Sequence, residues 1–267
     1  MKRPWLLLLI CLGLYRPCPA RMTRQQILDL FNQANSTFRA ANQEGSAERQ
    51  KELYHQAALA YQKIISDGQI RNARLYYNLA NAYLLSGDIG RAIVNYRRAE
   101  ILDRTNPNIQ KNLAFARSKR IDQVSPGTQQ QVLAVLFFWH FDLPIGTKVW
   151  VASCAFGVLY IALTIMVWLG RSALCSSIAS IGLIVALAMV GSVLVEQHQL
   201  THRRFGVIIP EQVVARQGDG PGYPEAFKAP LHAGTEFELI EARPGSYHIR
   251  LADGSEGWIP EDAAELI

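Results

Sequence analysis

Arg74, Tyr77, Asn78, Asn81 and Lys111, in the first half of this sequence, are side chains of types that can hydrogen-bond or stack on a ligand. Arg74 and Asn78 stand four residues apart, about one helical turn, so a guanidinium and an amide on one face could hydrogen-bond a carboxylate. That chemistry is recognition; it makes and breaks no covalent bond. No glycine-rich phosphate loop, nucleophile elbow or paired-histidine metal motif occurs in the sequence. His198 and His202 are also four apart, but they follow a long apolar run and are read as a polar pair beside it. His55, His232 and His248 are isolated, and the acidic residues of the last third have no acid–base partner. The expectation is a non-enzymatic protein with no cofactor and no metal, its catalytic set empty.

Helices must hold these five residues. From Met22 to Asp122 the pattern is helical and almost free of proline. Its most regular part, Ala73 to Asn106, places Ala80 and Ala92 where two helices would cross closely. Tyr76, Leu79, Tyr83, Tyr96 and Ala99 would fill the ridge between them, and Gly87-Asp88 would make the turn. Over a full 34-residue period this resembles a tetratricopeptide repeat. Arg104 stands where such a repeat usually ends in proline; Pro107 comes three residues later and is placed to begin the next helix. Ile27 to Ala41 and Glu52 to Ile64, joined by an overlong polar turn from Asn42 to Arg49, resemble a degenerate preceding repeat. Asn108 to Arg120, with Leu113 and Ala114 in phase, resembles a following or closing helix. The resemblance implies a solenoid with a concave groove, in which Arg74, Tyr77, Asn78, Asn81 and Lys111 would bind protein. Tyr77 occupies a position where repeats that clamp peptide tails often carry lysine.

Everything else hangs on Val149 to Val195. Val149 to Leu169 and Ala173 to Val195 carry no charged side chain, and each is about as long as the ~20 residues a helix needs to cross the hydrocarbon core. Only Gly170-Arg171-Ser172 separates them, so they must fold back as a helical hairpin. Trp150 and Trp168 sit near opposite ends of the first span, at interface depth. Ser176, Ser177, Ser180 and Gly182 offer small residues for close helix approach. A pair of core helices in a soluble protein is the alternative, and two consecutive charge-free runs of this length argue against it. Two crossings return the chain to the side it left, so the regions before and after the hairpin share one compartment.

The start of the chain indicates which compartment. Met1 to Ala20 reads as a secretory signal peptide: Lys2 and Arg3, an apolar core from Leu6 to Leu14, and Cys18-Pro19-Ala20 for cleavage. Both flanking regions are therefore expected outside the cytoplasm, which argues against nucleic acid as a partner. Cys11 and Cys18 lie in this leader, and Cys154 and Cys175 near opposite ends of the hairpin, so no disulfide framework is expected.

Charge is divided sharply. The net charge of +5 hides 16 basic and 9 acidic residues over 21–131, against 6 and 12 over 196–267. The two parts attract each other, or serve different partners, or simply carry ordinary solvated surface. A basic stretch (Lys111, Arg117, Lys119, Arg120) is read either as touching anionic headgroups or as a solvated helix end. Ser125-Pro126-Gly127 is a linker, and the aromatic run from Val132 to Phe141 an interfacial helix, with Pro144 and Gly146 bending the chain into the first span.

The tail changes to short β-type runs: Gly206 to Ile209, Gln212 to Arg216, Thr235 to Glu241, Tyr247 to Leu251 and Gly257 to Pro260, with Asp253-Gly254 as a hairpin signal. Leu231 to Thr235, Tyr247 to Leu251 and Asp253 to Ile259, with Gly257-Trp258 late in the order, are similar to a bacterial SH3-like domain. That similarity implies a surface of Tyr223, Tyr247 and Trp258 able to dock cell-wall peptide.

The expected organisation is multi-domain: signal peptide 1–20, α-helical TPR solenoid 21–123, linker and interfacial helix 124–148, transmembrane helices 149–169 and 173–195, juxtamembrane linker 196–212 and all-β SH3-like barrel 213–267. In that order and at that length the chain resembles the BatE proteins of the bacterial Bat (aerotolerance) group. The resemblance implies a scaffold of the inner membrane, with both water-exposed domains periplasmic. Its implied partners are proteins, among them membrane-anchored von Willebrand A-domain proteins; peptidoglycan binding through the tail is the alternative.

Overall fold

The computed structural model describes residues 22–125, 127, 132–133, 135–141 and 143–267. The expected signal peptide lies outside these residues, as do parts of the expected linker over 124–148. The chain divides into two compact units, one ending at Gly87 and one running from Asp88 to Ile267.

The first unit holds three helices: α1 (Arg24–Gln43), α2 (Ala47–Ser66) and α3 (Ala73–Ser86). Each starts on a side chain that accepts a backbone N–H. Thr23 forms a reciprocal capping box with Gln26, Ser46 accepts from Arg49, and Asn72 accepts from Arg74 and Leu75. The expected long turn from Asn42 to Arg49 shrinks to residues 44–46, because Ser46 caps α2 a full turn before Glu52. Helix α2 packs against both α1 and α3. Ala34, Ala41, Ala57, Ala58 and Ala80 are fully buried and bring the backbones close. Tyr54, Tyr61 and Tyr83 fill the space between and hand their hydroxyls to Asn42, Asn35 and Gln62. A buried phenol keeps its apolar contribution, roughly 1.5–3 kcal/mol for a large side chain, only when the O–H finds such a partner. Gly87, at φ 96°, closes α3 in the left-handed conformation.

The second unit begins with α4 (Ile89–Leu102), capped by Asp88, and α5 (Pro107–Ser118), with Pro107 at its first position. In α5 the buried face is Ile109, Leu113 and Ala116; Ala114, expected in phase, is exposed. The aromatic stretch has helical residues at 132–133 and 135–136 and the short α6 (Phe138–Phe141).

Helices α7 (Ile145–Leu169) and α8 (Ala173–His202) are the two helices among the described residues long and apolar enough to cross a membrane. They turn back on each other at Gly170, φ 88°. Their contact matches the expected one at Gly182 and differs at the serines. Ser176, Ser177 and Ser180 are exposed, and the buried stripe of α8 is Ala179, Gly182, Ala186, Met189 and Ser192. A Cβ at Gly182 would sit 3.1 Å from the carbonyl of Ala155 and 3.4 Å from Leu159. Trp150 and Trp168 are exposed, as expected for outward-facing rings. Within the two helices the charged side chains lie at the open end: Lys148, fully buried, donates to Glu196 Oε2 at 2.6 Å and to the carbonyl of His140 at 2.7 Å.

The C-terminal part is a small antiparallel sheet. β1 (Arg204–Ile208), β4 (Glu236–Arg243), β5 (Ser246–Arg250), β6 (Glu256–Pro260) and β7 (Ala264–Leu266) run in the order β6-β5-β4-β1-β7, while β2 (Gln212–Val213) pairs with β3 (Leu231–His232). Ile208, Leu231, Phe237, Ile249 and Ile259 form its core. Residues 196–212, expected as a linker, instead hold the end of α8 and the whole of β1. One residue, Arg203, separates helix from strand, and β1 is paired on both edges. β1 overlaps the expected run from Gly206 to Ile209 and β3 lies in the stretch Leu231 to Thr235; β7, three residues long, is an addition too short to carry an alternation in sequence.

The sheet docks on α4 and α5 through opposite charge, the first of the three readings the charge division left open. Glu236 takes two 2.7 Å hydrogen bonds from Arg117, one at 3.3 Å from Arg120, and an ion pair with Arg97 at 3.5 Å. Arg117 and Arg120 are thus neither lipid contacts nor a solvated end. Burial pushes the Glu236 carboxyl up, but the hydrogen bonds and charge of Arg117, with Arg97 and Arg120, outweigh it and hold the group below the usual range. Asp122 caps the same joint, accepting from His232 N at 2.6 Å and Thr235 Oγ1 at 2.8 Å. Its carboxyl is desolvated as well, yet these bonds bring it below its ordinary value. Arg98 reaches Glu265 at 2.7 Å, and Gly90 lies where a Cβ would meet the carbonyl of Ile208 at 2.8 Å.

Glu236→Gln should therefore cost about 2–4 kcal/mol, because three partly buried guanidinium groups lose their shared anion. Both depressed carboxylates stabilise the fold above their unfolded pKa of about 4, and that stability drains as pH falls through their lower folded values. Thermal unfolding of the full chain between pH 7 and pH 3 should show this acid limb, and Glu236→Gln should flatten it.

Candidate binding groove

In the first unit, six side chains surround a cavity of about 240 Å³: Asn35, Phe38 and Arg39 of α1, Tyr61 of α2, and Asn78 and Asn81 of α3. Three helices placed side by side by alanine contacts leave this concavity on one face. Its wall is pre-set. The Tyr61 hydroxyl donates to Asn35 Oδ1 at 2.6 Å, and Phe31 meets the Tyr61 ring edge-on at 6.1 Å. Burial pushes the Tyr61 hydroxyl up to about 12, with the Arg39 charge pulling the other way, so the phenol stays a donor at any physiological pH. Arg39 is exposed; its Nε donates to the carbonyl of Asn35 at 3.2 Å, and among the described residues no carboxylate pairs with it. A guanidinium with spare donors, flanked by amides and an aromatic floor, is suited to a carboxylate or to the polar backbone of a peptide.

Of the expected groove residues, Asn78 and Asn81 line this cavity. Arg74 is exposed on the first turn of α3 and Tyr77 is half-buried; neither lines it. Lys111 is an exposed residue of α5, in the second unit. Sequence reasoning missed Asn35, Phe38, Arg39 and Tyr61. The signal was there in part: Asn35 and Arg39 are spaced like Arg74 and Asn78, on a helix assigned only a packing role.

The sheet carries a second cavity of about 430 Å³, lined by Val213, Arg216, Asp219 and Trp258 among others. The expected aromatic trio is dispersed around it. Trp258 lines the cavity, but His248 stacks on its ring at 4.8 Å and the Arg243 guanidinium lies 4.5 Å from its centroid. Tyr247 donates its hydroxyl to Glu261 at 2.9 Å, and the half-exposed Tyr223 ring lies over Gly218. No group of three or more metal-ligating side chains occurs among the described residues. The side chain of His202 lies outside them.

Compared with known proteins, the chain matches no family model and no curated sequence.

Arg39 and Tyr61 separate recognition from scaffold. Arg39→Ala should change stability by less than ~0.5 kcal/mol, as for an exposed side chain with one backbone bond, whereas Tyr61→Phe should cost about 1 kcal/mol by orphaning Asn35. Denaturant unfolding of the two variants would show it, and a large loss on Arg39→Ala would make that residue structural.

Proposed function

We propose that this protein is a non-enzymatic, membrane-anchored scaffold that binds partner proteins through a tetratricopeptide-type groove. The observation that carries the reading is the Asn35–Arg39–Asn78–Asn81 cavity, which presents amides and a guanidinium that no carboxylate among the described residues holds, on an aromatic floor. The repeat assignment draws support from Ala80, Ala92, Tyr96 and Ala99, all fully buried, and from Gly87 and Asp88 acting as helix stop and helix start. The hairpin α7–α8 is the anchor, its length and apolar surface being those of a spanning pair. Arg104, in the turn between α4 and α5, and Lys148 of α7 share Glu196 of α8, so that turn meets the open end of the hairpin. With a secretory leader, that end faces the periplasm of the bacterial inner membrane. A Bat-type aerotolerance complex is the setting the architecture resembles, and membrane-anchored von Willebrand A-domain proteins are the proposed partners. The sheet, read as an SH3-like barrel, has its own 430 Å³ cavity beside Trp258, and this favours peptidoglycan peptide as a second ligand.

The test is cross-linking in native membranes with the tagged full-length protein and its Arg39→Ala, Asn78→Ala double variant. Loss of specific partners from an otherwise folded variant is the expected result. An unchanged partner list rejects the groove. Retention of full-length protein on purified peptidoglycan, lost on Trp258→Ala, would transfer the function to the sheet.

A further inference from the structure

A chamber of about 350 Å³ lies at the open end of the hairpin and has no part in the groove or in the sheet cavity. Leu143 and Pro144 lead into α7 along its lower rim, Glu196 of α8 stands in its wall, and Arg97, Arg104 and Arg203 bring three guanidinium groups to it. The two side-chain carboxylates on the wall are already held, and Ile267 also lines it. Glu100 is paired with Arg97, and Glu196 is shared by Lys148 and Arg104, two cations on one anion. Arg104 gives one contact to Glu196 and Arg203 one to Glu238. Each guanidinium has five N–H donors, so most of theirs remain, on side chains 40% and 47% exposed. Gln110 adds an amide, and Ile101 and Phe205 give the chamber an apolar edge.

Below the same end of the hairpin, α7 and α8 leave an apolar groove of about 420 Å³ between Val149, Ala152, Phe156, Val190 and Leu194. It starts two residues from Glu196 on α8 and five from Pro144 on α7. A chamber with three arginines against two glutamates, within about one helical turn of an apolar groove on the same two helices, matches one kind of molecule: an anionic head on an acyl chain.

We propose that the chamber binds the phosphate-bearing headgroup of an anionic phospholipid, with an acyl chain in the groove beneath. The inference rests on the reading of α7 and α8 as membrane-spanning. Basic pockets at the ends of spanning helices draw such headgroups by charge, and the surrounding low dielectric strengthens each contact. Arg104 and Arg203 would grip the phosphate, Gln110 a headgroup hydroxyl. Because Arg104 also holds Glu196, a bound headgroup would tie the turn between α4 and α5 to the hairpin.

The experiment is thermal unfolding of the full-length protein in a neutral detergent. The additions are phosphatidylglycerol, phosphatidylcholine with the same chains, or glycerol phosphate. Phosphatidylglycerol should raise the midpoint saturably while phosphatidylcholine does not. Arg203→Gln should raise the half-saturating concentration about fivefold, and with Arg104→Gln about tenfold or more. Since Arg104→Gln also releases Glu196, Val190→Trp supplies a second variant that fills the groove and keeps every charge; it too should weaken the lipid effect. Equal response to both lipids, or an unchanged response in Arg203→Gln and Val190→Trp, overturns the proposal. Glycerol phosphate acting as strongly as the lipid also overturns it, since the site would then take a free phosphate ester. Alkaline carbonate extraction of native membranes tests the spanning reading separately. Release into the supernatant rejects that reading; retention without lipid selectivity rejects this proposal alone.

Discussion

One carboxylate on the first residue of β4 joins the sheet to α4 and α5. Glu236 gathers Arg97 of α4, Arg117 of α5 and Arg120 just beyond it, so three guanidinium groups from the helices converge on one anion from the sheet. A neutral substitute weakens such a cluster. Without the anion, three cations face one another in partly desolvated space, and removing one member of a buried ionic group is far more costly than never having built it. Around it the joint is finished by shape and by hydrogen bonds. Gly90 lets α4 approach the end of β1, and Asp122 accepts from three donors of the β3–β4 corner.

This joint has a topological consequence. The sheet begins a single residue after α8, and α4 and α5 precede the hairpin, so segments on either side of the two apolar helices meet in direct ion pairs. A hairpin that returns the chain to its starting side permits that; a single crossing or three would forbid it. Lys148 and Glu196 mark the same boundary from within. A buried cation at the head of an apolar helix must be answered locally, and Glu196 answers it across the hairpin while accepting from Arg104.

The two cavities over water-exposed parts differ in how much of their wall is already satisfied. In the first unit, Tyr61 and Asn35 complete each other and leave Arg39 with donors to give. On the sheet, Trp258, Arg243, Asp219 and Glu241 are bound up among themselves, the guanidinium pairing with both carboxylates and lying against the ring. A surface whose polar groups are already paired offers less to a ligand. That contrast is why the groove carries the proposed function.

The sequence by itself determined the element types and their order. Periodicity, caps and charge-free length act within one turn or one span, so α3, α4, the Gly87 stop, the Pro107 start and the hairpin were all legible. So was the excess of opposite charge on the two regions flanking it. Tertiary structure decided what that charge met. Nothing local distinguishes Arg117 and Arg120 from any basic helix end; only the fold brings Glu236 to them from more than a hundred residues away. The same holds for β1, whose short run beside a helix end becomes a central strand only when β4 and β7 arrive on its two edges. It holds for the groove, where Asn78 and Asn81 were readable on their own helix, while Arg39 and Tyr61 join them only through the packing of α1, α2 and α3. Spacing along a chain fixes which side chains share a face. Which faces meet depends on long-range contacts that no short window contains.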